Sequence, residues 1–293
     1  MTQEEIRKLL GGYATNTLTD GRWYATNQLL PGGTRQIIVG GRAYNTYEFV
    51  PKRTTGEGSF NLALLKSAAD SQGDNEYPFV HLLPTGNLFI FANRDSIVFN
   101  YGTNKVVTTL PRIPGEPRNY PSAGSSVMLP LDQANGFSLA EVLVCGGAHA
   151  GAFLNTAAQY AASQTCGRIT PLAAKPAWAM ETMPVRRTMG DMVIMPTGDV
   201  LIINGAQNGC QGWGKASNAV LTPVSYATNN AAARFKTLTA GTIPRVYHST
   251  ANLLPDARIL IAGSNTHQYY TYTGTFPTEL RVEAYSPAYL AAT

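Results

Sequence analysis

The stretch RVYHST (residues 245–250) sets a tyrosine beside a histidine in a chain with only 4 histidines. Imidazole and phenolate are both competent metal donors, and a nearby cation favours the phenolate form. Tyr247 and His248 are therefore either two ligands or two strand residues facing opposite ways. The other imidazoles are His81 in YPFVHLLP, His149 in GGAHAG and His267 in SNTHQYY. His81 heads an apolar run and reads as a channel-wall or structural residue. His149 and His267 follow strand ends and read as exposed loop residues. With 15 tyrosines present, any one of them is first a buried ring with a satisfied hydroxyl. The 3 cysteines cannot all pair within the chain: either Cys145 bridges Cys166 and leaves Cys210 free, or all are buried thiols.

Those residues have to be positioned by something that repeats. Five segments share one outline: RWYATNQLLPGGTRQIIVGG, YPFVHLLPTGNLFIFANRD, RNYPSAGSSVMLPLDQANGFSLAEVLVCGG, RRTMGDMVIMPTGDVLIINGA and RVYHSTANLLPDARILIAGS. Each has a polar or aromatic lead-in, a short strand, a turn with proline, an apolar strand and a small-residue end. The turn prolines Pro31, Pro84, Pro130, Pro196 and Pro255 are spaced 53, 46, 66 and 59 residues apart. That period suits propeller blades with loop insertions. Proline presets φ and glycine supplies positive φ, so PGG and PTG read as turns. IIVGG, LFIF, VLVCGG, VLIING and ILIAG are continuous apolar runs of strand length, which fits sheets buried on both faces. Few helices are expected beyond a short one near residues 3–10, where Thr2 and Glu5 fit a capping box, and a turn in LNTAAQYAAS. A β-sandwich would repeat its strands roughly every 8–12 residues without this longer period.

Arg22, Arg118, Arg187 and Arg245 each precede Tyr24, Tyr120, Met189 and Tyr247 by two positions. A repeated offset argues for a structural role first, with guanidinium groups bonding carbonyls between blades. GGRAYNTYEF and GAQNGCQGWG hold several glycines without phosphate-loop spacing and read as turns.

Composition narrows the class. Of 293 residues, 44% are hydrophobic and 14% charged, enough apolar material for a packed core. The formal net charge is +4 with no basic run, so nucleic acid is not an expected partner. No apolar stretch reaches the roughly 20 residues of a membrane span, and MTQEEIRKLL lacks the apolar centre of a signal peptide.

Taken together, RWYATNQLLPGG, YPFVHLLPTGNLFIFANRDS, PRNYPSAGSSVMLPL, EVLVCGGA, TCGRI, MGDMVIMPTGDVLIINGAQNGCQGWG, IPRVYHST and PTELRVEAYSPAYL resemble the catalytic propeller of glyoxal oxidases. These are copper radical oxidases related to galactose oxidase, and the likeness runs from about residue 21 to 290. It implies a kelch-type propeller, seven-bladed in the family and followed there by an immunoglobulin-like domain. It implies oxidation of small aldehydes such as glyoxal or methylglyoxal by O₂ to carboxylic acids and hydrogen peroxide, in an extracellular setting. The expected cofactor is a single copper, with a radical tyrosine cross-linked to a cysteine. Carried across, Tyr120 of PRNYPS is the radical-bearing ligand, and Tyr247 and His248 are the axial tyrosine and first histidine.

Departures accompany the likeness. Residues 1–20 do not resemble the family's cysteine-bearing blade, and Cys145, Cys166 and Cys210 lie in other motifs. The last histidine ligand belongs to the family's C-terminal domain, which is expected to be absent here. The expectation is thus five blades of a longer propeller, at residues 21–290, lacking the cofactor cysteine and one ligand. Its open sheet edges would invite self-association. An inactive propeller serving as a binding scaffold is the alternative reading.

Overall fold

The apolar runs become the second strand of five successive sheets in the computed structural model, which describes residues 17–291. The expected helix near residues 3–10 lies outside the described residues. The first sheet holds β1 (Ala25–Leu29), β2 (Gln36–Gly40), β3 (Thr46–Val50) and β4 (Phe60–Asn61) in that order. The second holds β5 (Phe79–Leu82), β6 (Leu88–Ala92), β7 (Asp95–Asn100) and β8 (Lys105–Thr109). The third holds β9 (Ser125–Met128), β10 (Val142–Cys145), β11 (Thr165–Ile169) and β12 (Ala179–Thr182). In the fourth, β13 (Asp191–Ile194), β14 (Val200–Ile203), β17 (Val224–Tyr226) and β18 (Phe235–Thr237) are interrupted by a hairpin of β15 (Ala206–Gly209) and β16 (Ala216–Ala219). The fifth has β19 (Ser249–Leu253), β20 (Ile259–Gly263) and β21 (Glu283–Tyr285). All the pairings are antiparallel. First strands adjoin in chain order, β1 to β5, β5 to β9, β9 to β13 and β13 to β19, so they face the axis of a five-bladed propeller arrangement.

The core is divided among the seams between blades. Ile37, Val39, Tyr47 and Phe49 of the first blade pack with Leu88, Ile90, Ile97 and Phe99 of the second. Val127 and Leu143 meet Val200, Ile202 and Val224 across the third seam, and Val193 and Leu201 meet Ile259 and Ile261 across the fourth. The middle strands of the second, third and fourth blades are thus covered on both faces, which is why β6, β10 and β14 are buried at every residue and do not alternate, whereas β20 of the last blade is buried only at Ile259 and Ile261. Each such aliphatic side chain stabilises by roughly 1.5–3 kcal/mol on burial. One helix was not anticipated: α1 (Ala63–Ala68) buries Leu64, Leu65 and Ala68 against β6 and β7. The turn expected in LNTAAQYAAS is a 3-10 helix at Thr156–Ala158.

The repeated arginines correct one expectation. Each braces its own blade, not its neighbour. Arg22 donates from Nη1 to Gly40 O at 2.7 Å and Thr46 O at 3.1 Å, spanning β2 and β3. Arg118 reaches Gly146 O and Thr165 O, Arg187 reaches Asn204 O and Thr222 O, and Arg245 reaches Gly263 O and Arg281 O. The guanidinium fork is planar and five-donor, so one side chain can satisfy carbonyls at both ends of a strand-to-strand connection. Arg22 and Arg245 are also paired with Glu48 and Glu283. The seams are closed by the main chain instead: Gly147 N donates to Arg187 O, and Gly205 N to Arg245 O. At Gly146 (φ +71) a Cβ would collide with the Arg187 carbonyl oxygen of the next blade, so a close approach of backbones requires glycine there.

Cys145 and Cys166 lie directly opposite each other on β10 and β11 and form a disulfide across 21 residues. A closed loop of that size stabilises by about 3 kcal/mol in the chain-entropy account. Cys210 is free and buried, with its thiol pushed up to about 12 by burial.

Candidate functional site

Lead-in residues of the blades converge on the axis. Main-chain hydrogen bonds link them in turn: Tyr77 N to Tyr24 O, Tyr120 N to Glu76 O, and Met189 N to Ala123 O. This belt sets three phenols together. The rings of Tyr24 and Tyr120 stack at 4.5 Å with an interplanar angle of 26°. Tyr24 Oη lies 3.4 Å from Tyr247 Oη. Tyr77 tilts against Tyr24 at 5.2 Å. Tyr247 is buried with Val246, Met189 and Ala123, while the ring of His248 stacks on it at 3.8 Å.

His248 takes a left-handed backbone, φ 65, which turns its ring out of the β19 ladder to an exposed position. Its Nδ1 is 2.8 Å from Asn265 O. A carbonyl can only accept, so Nδ1 carries the hydrogen and the neutral ring keeps its lone pair on Nε2. That is the arrangement found around metal-bound histidines, whose second nitrogen donates to a fixed acceptor.

Burial holds the hydroxyls of Tyr247, Tyr120 and Tyr77 in the protonated form. Burial raises Tyr247 most, followed by its bond with Tyr24 and the proximity of Tyr120. Burial raises Tyr120 too, followed by Tyr24. Tyr77 is raised by burial, with Tyr24 and Glu76 adding to it. Among the described residues, no three His, Cys, Asp or Glu side chains gather as a metal site. A metal held here would need the phenols as donors.

Beside the cluster, a cavity of about 320 Å³ runs along the axis, lined by Tyr77, Asn119, Tyr120, Asp191 and Gln211 among others. Burial pushes the Asp191 carboxyl up to about 6, against the opposing bond from Asn204 Nδ2 at 2.8 Å. A second cavity of about 250 Å³ lies beyond Tyr247, between the β15–β16 hairpin and the loop after β20.

Tyr120, Tyr247 and His248 are thus brought together as the sequence suggested, and Tyr24 joins them unannounced. Its signal was present in the shared two-residue offset after Arg22, Arg118 and Arg245. Cys210 packs with Ala148, Ala152, Phe153 and Tyr160, away from the phenols. His149 is exposed and stacks on Tyr160 at 4.6 Å. His267 is half-buried, with its Nε2 lacking a partner, so it is less open than expected.

His81, expected in a channel-wall or structural role, is a bonding residue between two blades. Its Nε2 is 2.8 Å from Ser126 Oγ, across the seam between β5 and β9. Burial holds the imidazole down to about 4, whereas an unfolded histidine titrates near 6.5. Between those values the folded chain binds fewer protons, so this stability is complete above about pH 6.5 and is lost as pH falls towards 4. Replacing His81 with Gln should remove that dependence. The difference in unfolding free energy between the two proteins should narrow by about 2 kcal/mol from pH 7 to pH 4.5 in denaturant titrations. A constant difference across that range would refute the assignment.

Repeated antiparallel sheets around an axis, with aromatic lead-ins meeting at one end, make this chain a β-propeller with a phenol and imidazole centre. Residues 12–289 match the family model described as glyoxal oxidase N-terminus, and the chain belongs to that family. It is 55% identical over 276 residues to aldehyde oxidase GLOX of Vitis pseudoreticulata, covering 94% of this chain and 52% of that protein. It is 44% identical over 277 residues to aldehyde oxidase GLOX1 of Arabidopsis thaliana, covering 92% of this chain and 45% of that protein. The chain therefore spans about half the length of the curated relatives it matches. A fungal alcohol oxidase of the AA5 family, solved in complex with copper, shares the fold at a TM-score of 0.53 and 16% identity, over 92% of this chain and 63% of that one. YjhT shares it at 0.51 and 13%, over 85% and 74%.

Proposed function

We propose that this chain carries the copper-binding face of an aldehyde oxidase, with Tyr247, His248 and the stacked pair Tyr24 and Tyr120 around the metal. The observation that supports it most is His248: its Nδ1 bond to Asn265 O leaves Nε2 free beside a cluster of three phenols. The residues fit the group. One imidazole nitrogen and phenolate oxygens suit copper(II), and a cation would reverse the burial that now keeps the phenols protonated. Tyr24 Oη lies 3.4 Å from Tyr247 Oη, and Tyr120, stacked over Tyr24, also bonds the Tyr247 hydroxyl, so each of the two phenols is placed to supply the second phenolate.

Copper, when bound, supplies a one-electron acceptor and a Lewis acid for the substrate oxygen. Burial keeps Tyr247 protonated in the metal-free protein; as the phenolate that a bound cation would favour, it would be the base placed to take a hydroxyl proton from a hydrated aldehyde. The stacked Tyr24 and Tyr120 would take the hydrogen atom from its carbon only once one of them had lost an electron and its proton, copper(II) being the one-electron oxidant. The net change is aldehyde, water and O₂ to carboxylic acid and hydrogen peroxide, for small aldehydes of the glyoxal and methylglyoxal kind. The Cys145 to Cys166 disulfide supports an oxidising, extracellular compartment.

One observation favours the scaffold reading: no cysteine of this sequence stands beside either stacked phenol, so the thioether that eases tyrosine oxidation has no source here. We therefore expect the 293-residue polypeptide to bind copper and to turn over slowly. Titration of the purified chain with copper(II) should give about one equivalent bound, with a visible phenolate charge-transfer band. Tyr24→Phe and Tyr120→Phe should each weaken that band, since both hydroxyls meet Tyr247. Absence of copper binding overturns the oxidase reading in favour of the scaffold. Peroxide formation from methylglyoxal at ordinary oxidase rates would overturn the expectation of slow turnover.

A further inference from the structure

Asp74 is a fully buried carboxylate with no cation beside it among the described residues. Its exposure is 0%, and the groups that act on it are Gln72, Ser122 and Asp70, none of them positively charged. An unpaired buried carboxylate is expensive to keep, and it survives only where its hydrogen bonds are well made. Those bonds reach into the site. Oδ1 accepts from the main-chain Ser122 N at 3.0 Å, two residues beyond Tyr120. Oδ2 accepts from Gln72 Nε2, which also reaches Ser122 Oγ at 3.2 Å. Gln72 Oε1 in turn accepts from Phe153 N at 3.2 Å, and the Phe153 ring stands 6.5 Å from that of Tyr120.

The loop that presents Asp74 is itself fixed. Asp70 Oδ1 accepts from the main-chain nitrogens of Gln72, Gly73 and Asp74, and Asp70 Oδ2 accepts from Asn93 Nδ2 at 2.9 Å. The second blade has no arginine in the repeated position, and this aspartate loop takes its place. It also ties the second blade to the third, since Glu76 O accepts from Tyr120 N at 3.2 Å and Tyr77 O accepts from Asn119 Nδ2 at 2.8 Å. The segment from Asn119 to Ser122 is therefore gripped at three points from the second blade. Arg118 braces the same segment within the third blade, but from the second blade only the Asp74 loop reaches it beyond Tyr120. Burial pushes the Asp74 carboxyl up to about 7, as expected for a charge with dipoles and no counterion around it.

We propose that Asp74 is a positioning residue for the phenol cluster: through Ser122 N it fixes where Tyr120 lies over Tyr24. The inference rests on the site reading above only for its consequence in catalysis; its geometric part stands without metal. A ligand-free readout is therefore decisive. Near-ultraviolet circular dichroism of the intact chain should show a tyrosine signal that Tyr120→Leu removes. Asp74→Ala should remove the same signal and speed amide exchange in residues 119–124 by at least about tenfold, the size expected for a lost bond to a charged acceptor. Asp74→Asn retains an acceptor for Ser122 N and should keep both close to wild type. If Asp74→Ala does not fold, the asparagine variant decides: near-wild-type signal and exchange support the proposal, and loss of both in a folded protein overturns it. An unchanged signal in folded Asp74→Ala also overturns it. Where the copper-loaded chain turns over, Asp74→Ala should lower kcat with little change in KM. Failure of wild type to bind copper counts against the oxidase reading alone, because the dichroism and exchange of the metal-free variants still test Asp74.

Discussion

His248→Ala is expected to raise the dissociation constant for copper(II) by at least about a hundredfold, since even indirect supports of a ligand cost about ten- to hundredfold. His248 is exposed, so the side chain contributes little to the core. The left-handed backbone at φ 65 penalises alanine modestly, and His248→Asn tolerates it better. Both variants should therefore fold and both should lose the metal. His149→Ala is the matched control. It also bonds a carbonyl through Nδ1, to Ala150 O, but its ring is stacked on Tyr160 away from the phenols. Isothermal titration of the three variants gives the answer. Wild-type affinity in both His248 variants would mean that the imidazole is not a ligand, whatever Tyr247 does.

The largest stability effect is expected at Arg118. Its side chain is buried, with an exposure of 0%, and burial lowers the guanidinium to about 10, which leaves it charged at neutral pH. Among the described residues no carboxylate forms an ion pair with it. Its charge is instead met by the carbonyls of Pro114, Gly146 and Thr165 and the hydroxyls of Ser163 and Thr165. Arg118→Met keeps the length of the side chain and strands those carbonyls. With a cost of about 1–3 kcal/mol for each unsatisfied group, the loss should be about 4 kcal/mol or more. In a domain of this size that lowers the thermal midpoint by about 10 °C. Arg118→Lys should recover only part of it, because a single ammonium cannot span β10 and β11 together. A midpoint within about a degree of wild type in Arg118→Met would show that water replaces the guanidinium in this seam.

The blades were legible because their period is carried by residues with few alternatives. Pro31, Pro84, Pro196 and Pro255 sit in the turns between first and second strands, and the apolar runs after them are β2, β6, β14 and β20. Their outer partners were not read. β8 is nearly all exposed, and β12 and β18 are short and polar, so nothing in their pattern distinguishes them from loops. The β15–β16 hairpin was missed for a related reason: GAQNGCQGWG looks like turn sequence throughout. At the site, Tyr247 and His248 were visible because histidine is scarce. Tyr24 was hidden among 15 tyrosines, and only the position it shares with Tyr120 and Tyr247 set it apart. The direction of the arginine braces was not readable either. Sequence spacing gives the offset from Arg to Tyr, but not that the fork turns back into its own sheet.

The register after those arginines has a further consequence. Tyr24, Tyr120, Met189 and Tyr247 are one repeat position occupied four times. Met189 packs between Ala123 and Tyr247, so even the sulfur-bearing copy borders the phenols. Because each guanidinium bonds within its own sheet, the polar brace of one blade does not depend on the side chains of the next. The main-chain belt then aligns whatever side chain each copy carries at that position. The phenol cluster at the axis is in that sense a cross-section through a tandem array, read at one phase of the repeat.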